Sequence, residues 1–271
     1  MPHLEVPGAS LYYEVDGPAD APALLLVHSG VANLRMWDPQ IAALTAEHRV
    51  VRFDTRGYGL TESQNLEFSN RADALAVLDH VGVHKATVIG CSRGGTISID
   101  LALESPGRVL GLVVVCGGPS GFPEVELTAQ EDELFDELDA AYLRGDWATL
   151  NRREAALWNF GPGRREEDLS PVFVETAYAL NAANLPHATE APISLPLDPP
   201  AYDRITDIDV PTLVMVGDLD ITPTLAQYEY LLSTIPRADG CRFRDAAHQP
   251  NVEQPEAFEQ VLLNWLTEHA L

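Results

Sequence analysis

Thr87-Val88-Ile89-Gly90-Cys91-Ser92-Arg93-Gly94-Gly95 carries the strongest local signal in this 271-residue chain. A β-branched run climbs to a glycine, then a serine, then two more glycines. An apolar segment at helical spacing follows, through Ile97, Leu101 and Leu103. That is the pattern of a strand ending in a sharp turn into a helix. Gly90-Cys91-Ser92-Arg93-Gly94 fits G-x-S-x-G, in which a serine sits at the tip of a strained turn with its hydroxyl exposed. The residues two before and two after it must be small, so that strand and helix can pass closely. An ordinary glycine-rich turn fits the same five residues. The rest of the chain must therefore supply partners for Ser92.

Outward from this motif, strand-like and helix-like stretches alternate. Leu4-Glu5-Val6 and Leu11 to Val15 read as a hairpin about Pro7-Gly8-Ala9. Ala23 to Val27 is continuously apolar, as a strand covered on both faces should be, and it ends in His28-Ser29-Gly30-Val31. A helix through Trp37, Ile41 and Leu44 follows, then a strand from Arg49 to Phe53 that runs into Asp54-Thr55-Arg56-Gly57-Tyr58-Gly59. A helix over 72–81 precedes the Ser92 strand, and Val109 to Val115 is another buried strand. This rhythm predicts an α/β fold with a mostly parallel, doubly wound sheet. It breaks at about Pro119 and resumes at Pro211. The intervening stretch is acidic and helical, with helices expected over 131–143, 149–160 and 171–181, then rich in proline and alanine. We read residues 1–118 and 201–271 as the core and 119–200 as an inserted helical cap. After the insertion come a strand at 211–217, a helix at 225–235, a short strand at 241–244 and a closing helix at 256–266.

A serine hydroxyl is a poor nucleophile until a base takes its proton, and the base needs an orienting acid. The resumed sheet offers both. Gly217-Asp218-Leu219-Asp220 and Ala246-Ala247-His248-Gln249 each follow a predicted strand, so they fall on the carboxyl edge where open α/β sheets carry their sites. His248 alone reads as a loop histidine, and either aspartate alone reads as a turn or cap residue. Together, Ser92, Asp220 and His248 come in the order expected of a G-x-S-x-G hydrolase. Asp220 is the favoured acid and Asp218 the alternative.

Composition narrows the function classes. Forty-one acidic residues against 17 basic ones give a net charge of −24, which argues against nucleic acid or anionic membrane as partners. Eight acids between Glu124 and Asp139, with no base among them, read as a solvated helix face. No apolar run reaches the ~18 residues of a membrane span, and the N-terminal residues lack the pattern of a secretion signal. Three well-separated cysteines, Cys91, Cys116 and Cys241, suit a reduced, cytoplasmic protein. Cys91, beside Ser92, reads as a small buried apolar residue. No His/Cys/Asp cluster has metal-ligand spacing, and no G-x-G-x-x-G follows a strand. Neither metal nor cofactor is expected, and a homo-oligomer is left open.

Almost end to end, the chain resembles the α/β-hydrolase family, with the cap weakly matched. The matching stretches are Leu26-Val27-His28-Ser29-Gly30, Asp54 to Gly59, Gly90 to Gly95, Gly217 to Asp220 and Ala247-His248. In that family the acid lies three positions after the glycine, which supports Asp220. The first stretch looks like the His-Gly loop, although Ser29 stands where the family has glycine. The resemblance implies that the backbone N–H groups of Gly30 and Arg93 form the oxyanion hole and that His28 braces the loop. Leu34 to Gln40 and Arg49 to Gly57 further resemble the 3-oxoadipate enol-lactonase/esterase branch. The expected substrate is thus a small carboxylic ester or lactone, cleaved through an acyl-enzyme. The alternatives are C–C bond hydrolysis with the same triad, or a non-catalytic ligand-binding member of the fold. Val31, Trp37 and Trp158 are candidates for the pocket wall. Trp37 fits a core position equally well, and Trp147, Phe160 and Tyr178 fit either the pocket or cap packing. For the Arg93 side chain, a buried pair with an Asp or Glu is favoured over a substrate carboxylate.

Overall fold

The strand formed by Ala86–Cys91 runs through the middle of a nine-stranded sheet, and everything else is hung from it. The computed structural model describes residues 2–271. In chain order the core begins with β1 (His3–Val6), β2 (Ala9–Asp16), β3 (Ala23–Val27), α1 (Asp38–Leu44) and β4 (Arg49–Phe53). Two short strands, β5 (Glu62–Ser63) and β6 (Glu67–Phe68), precede α2 (Asn70–His80). Then come β7 (Ala86–Cys91), α3 (Arg93–Glu104) and β8 (Val109–Val115). The sheet order is β1-β2-β4-β3-β7-β8, continued by β10 (Thr212–Gly217) and β11 (Ala238–Phe243), with β5 paired to β2. The β3–β4, β3–β7, β7–β8, β8–β10 and β10–β11 pairings are parallel, and those of β2 with β1, β4 and β5 antiparallel.

Every residue of β3, β7 and β10 is buried, which is why these strands appear in the sequence as unbroken apolar runs. Helices α3, α7 (Thr222–Thr234) and α9 (Pro255–His269), with the short α8 (Pro250–Glu253), complete the cover. Trp37, Phe53 and Phe258 are among the largest fully buried side chains of this core.

Between β8 and β10 lie α4 (Ala129–Leu143), α5 (Trp147–Glu154) and α6 (Pro171–Ala182), then β9 (Ile193–Ser194), which pairs with β6. A Thr128–Glu131 capping box starts α4 two residues before the expected onset. The helix expected over 149–160 is instead two pieces: α5 ends at Glu154, and Ala155–Phe160 forms a π-helical turn. That turn brings the Trp158 carbonyl to the His248 amide (3.2 Å) and lets Asn159 Nδ2 donate to Gln249 Oε1 (2.8 Å). Strand β11 begins three residues earlier than expected, since Ala238-Asp239-Gly240 carries none of the usual strand residues and is held by its parallel register with β10.

At the turn after β7 the backbones crowd. A Cβ on Gly94 would sit 2.6 Å from the His28 carbonyl oxygen and closer still to that of Val27, and one on Gly90 would collide with the Gly94 carbonyl. Gly94→Ala should therefore cost at least about 2 kcal/mol in chemical denaturation. Gly107→Ala, where an added Cβ meets nothing within 4 Å, should be close to neutral. Equal stabilities for the two variants would refute the close-approach account.

Candidate active site

Four sheet strands deliver the site residues to one edge: Gly30 follows β3, Ser92 follows β7, Asp220 follows β10 and His248 follows β11. Ser92 has φ 54° and ψ −120°, a conformation that L residues rarely adopt. Its amide donates to the Val115 carbonyl (2.8 Å), and its own carbonyl accepts from Thr96 (3.0 Å). The side chain is thereby left to project from the start of α3.

His248 Nε2 lies 2.7 Å from Ser92 Oγ, and His248 Nδ1 lies 2.7 Å from Asp220 Oδ2. The side chains of His248 and Asp220 are 4% and 0% exposed, so this contact is made out of water. The second Asp220 oxygen accepts from the Ile221 amide (2.8 Å), leaving the carboxylate doubly held. Asp218, the alternative acid, points the other way and pairs with Arg242 Nε at 2.6 Å on the exposed side. Trp158 packs its ring on the imidazole, with centroids 4.7 Å apart, and its carbonyl accepts from the His248 amide.

The loop after β3 is braced by a buried histidine. Since the Thr55 amide donates to His28 Nε2 (3.0 Å), the ring proton resides on Nδ1 and is donated to the Ser29 carbonyl (2.7 Å). Burial, with a smaller contribution from the Arg93 charge, holds the His28 pKa down at about 3 against the opposing bond to Ser29, so the ring is neutral. Ser29, the departure from glycine, uses its hydroxyl to accept from Gln249 Nε2 (2.7 Å). Among the described residues no acceptor meets the Gly30 amide. The Arg93 amide, first in α3, has no intrahelical acceptor.

Two expectations are corrected. Trp37 lines no wall of the site: it is 0% exposed and packs on Phe258, 6.3 Å between centroids, beneath α1. Its apolar bulk fills the core, the alternative the sequence left open. Arg93 does not pair with a carboxylate. Its guanidinium donates to Thr55 Oγ1 (2.7 Å) and Asn70 Oδ1 (3.1 Å) and lies over the Tyr58 ring (4.8 Å). Asp73, an acid at the start of α2, is held by Arg56 through two hydrogen bonds instead. Val31 is buried beside Gly30, and Trp147 lines the larger cavity at the site, whereas Phe160 packs among Phe173 and Tyr178. Cys91 is fully buried, and burial pushes its thiol pKa up, away from the nucleophilic form. Sequence reasoning missed Thr55, Asn70 and Gln249. All three lie in loops or at a helix start, where no periodicity marks a side chain's direction.

A family model described as alpha/beta hydrolase fold matches residues 22–255. The 3-oxoadipate enol-lactonase 1 of Acinetobacter baylyi is 26% identical over 257 residues, which are 94% of this chain and 92% of that one. A protein of Azorhizobium caulinodans named as a candidate carbamate hydrolase is 30% identical over 276 residues, 99% of each chain. Among solved structures, the enol-lactonase from Burkholderia xenovorans has a TM-score of 0.77 at 26% identity, over 98% of this chain and 100% of that one.

His28 also makes the fold acid-sensitive. Its folded pKa (about 3) lies below the ordinary 6.5, so between those values the unfolded chain holds a proton that the folded chain refuses. This stabilising contribution is complete above about pH 6.5 and is lost as the pH falls towards 3, at a limiting slope of about 1.4 kcal/mol per pH unit. In denaturation series across that window, His28→Gln should be less stable at neutral pH yet lose less on acidification, by about one proton. Identical slopes for the two proteins would refute a neutral His28.

Proposed function

The chain belongs to the α/β-hydrolase fold family, and from that premise we propose that it is a serine hydrolase of small carboxylic esters or lactones. The observation that carries this reading is the continuous relay Ser92 Oγ–His248 Nε2 and His248 Nδ1–Asp220 Oδ2, with both contacts at 2.7 Å. Ser92 Oγ attacks the carbonyl carbon while His248 Nε2 takes the hydroxyl proton, and Asp220 stabilises the imidazolium that results. The developing oxyanion is received by the free amides of Gly30 and Arg93, at the positive end of α3. Collapse expels the alkoxide, which regains the proton from His248. Water, activated by the same base, then releases the acid from the acyl-enzyme.

Residues 119–200 serve in this reading as a cap. Supporting it, Asn184 Nδ2 donates to the Ala32 carbonyl (3.0 Å), Asn33 Nδ2 to that of Leu180 (3.3 Å), and the Thr222 amide to Glu131 Oε1 (2.6 Å). These bonds tie the segment to the loops after β3 and β10, over the edge that carries Ser92. Ester and lactone specificity is also consistent with enol-lactonases among the relatives. No helix among the described residues is long and apolar enough to cross a membrane, and the three cysteines are unpaired, in keeping with a reducing cytoplasm.

Ser92→Ala should lower kcat on p-nitrophenyl butyrate by about 10⁴-fold or more and abolish labelling by a fluorophosphonate. Asp220→Asn should cost about 10⁴-fold, whereas Asp218→Asn stays within a few-fold of the parent. Undiminished hydrolysis by Ser92→Ala, or a large loss confined to Asp218→Asn, would overturn the assignment.

A further inference from the structure

Cys116 follows β8 directly, so it falls on the same carboxyl edge as Ser92, Asp220 and His248. Its φ of 48° is a conformation that L residues rarely adopt, and its amide is tied to the Met215 carbonyl of β10 (2.8 Å). Cys116 Sγ, a carboxylate oxygen of Asp220 and a ring nitrogen of His248 all lie within 4.8 Å of one another. The three are far apart along the chain, which is why no ligand spacing announced them. Hydrolysis uses the acid and the base and gives the thiol no task. The thiol's own contact is weak, a 3.8 Å approach to the Ala247 carbonyl. Ser92, Cys116 and His248 also line one cavity of about 170 Å³, so a small solute that reaches the serine reaches the thiol as well.

A thiol, a carboxylate and an imidazole make a donor set for a borderline-soft divalent cation. Zinc takes thiolate sulfur at about 2.3 Å and imidazole nitrogen or carboxylate oxygen at about 2.0–2.2 Å. Tetrahedral ligand atoms at those radii stand roughly 3–4 Å apart, so side-chain shifts of about 1 Å suffice from separations of 2.7 Å for Nδ1–Oδ2 and at most 4.8 Å elsewhere. Charge fits too. A thiolate and a carboxylate together cancel a divalent charge, so the ion is buried without an unpaired charge. The net charge of −24 also draws cations towards the chain.

We propose that Cys116, Asp220 and His248 form an inhibitory site for a soft or borderline divalent cation such as Zn²⁺ or Cd²⁺. As the metal binds, the Cys116 S–H proton leaves to solvent and Asp220 exchanges its hydrogen bond for a metal–oxygen bond. The imidazole gives Nδ1 to the metal, and its proton moves to Nε2. Nε2, which lies 2.7 Å from Ser92 Oγ, then carries a proton and can no longer accept that of the serine. Inhibition rests on Ser92 being the nucleophile and deepens that reading; binding itself does not depend on it.

Cadmium titration of Ser92→Ala, which keeps all three ligands, should develop the ultraviolet charge-transfer band of a cadmium thiolate, saturating at a single ion per chain. The band should vanish in Ser92→Ala/Cys116→Ser and persist in Ser92→Ala/Cys241→Ser. In the parent, Zn²⁺ should inhibit p-nitrophenyl butyrate hydrolysis, and EDTA should restore the rate. With each rate taken relative to the same protein without metal, Cys116→Ser should raise the inhibition constant about 100-fold, since losing even an outer-shell partner costs about 10- to 100-fold in affinity. Cys116→Ala, which offers no donor, should show the same losses and serves where the serine variant is unstable. The proposal is overturned by the absence of any band, by a band that survives Cys116→Ser or is lost with Cys241, or by inhibition indifferent to Cys116. Should Ser92→Ala hydrolyse the ester like the parent, the triad reading fails while the cadmium band still decides the site.

Discussion

Everything at the carboxyl edge depends on how closely α3 approaches β7 and β3. Helix α3 starts one residue after β7 ends, and its first turn lies against the carbonyls of Val27 and His28. Only hydrogen atoms fit between them at Gly90 and Gly94. The turn is driven so tight that Ser92 adopts φ 54°, where a side chain is strained. That strain is held by backbone hydrogen bonds on both sides, donated by the Ser92 amide to Val115 and accepted by its carbonyl from Thr96, rather than by the serine's own side chain. The hydroxyl is therefore exposed and fixed in direction, at the end of a helix whose free amides and dipole favour negative charge.

The same crowding sets the loop after β3. Helix α3 lies against the carbonyls of Val27 and His28, and the loop that follows is held by a chain of hydrogen bonds. Arg93 donates to Thr55, whose amide donates to His28, whose Nδ1–H donates to Ser29. Asp54, one residue earlier, accepts from the amides of Leu34 and Leu60, both at 2.8 Å, and burial raises its pKa. A charged and a neutral imidazole would serve this chain differently. Only the neutral ring can accept from Thr55 while donating to Ser29.

The sequence made legible what is dictated by burial and by order along the chain. Strands β3, β7, β8 and β10 are covered on both faces and so announce themselves as apolar runs, and the elbow glycines mark where two backbones meet. Relative order and strand ends were enough to bring Ser92, Asp220 and His248 into consideration together. What was not legible depends on direction rather than position. Asp218 and Asp220 both follow β10, and only the turn geometry sends one to His248 and the other to Arg242. Trp37 has the same spacing whether it faces the core or a pocket. The pairing of β6 with β9, with 124 residues between them, and the π-turn at Ala155–Phe160 have no local sequence signature at all.

Ser29 illustrates how a departure from a family pattern becomes intelligible once side chains are in place. A glycine there would leave Gln249 Nε2 buried with no acceptor, at a cost of about 1–3 kcal/mol. With serine present, Asn159 donates to Gln249 Oε1 and Gln249 donates to Ser29 Oγ, all three residues being fully buried. Gln249 adjoins His248, Ser29 adjoins Gly30, and Asn159 adjoins the Trp158 that packs on the imidazole. One buried hydrogen-bond chain thus fixes the spacing between the loop that carries His248, the loop that carries Gly30, and the helical segment of Asn159. The hydroxyl at position 29 compensates for the polarity of Gln249, so the two positions should be understood as a pair.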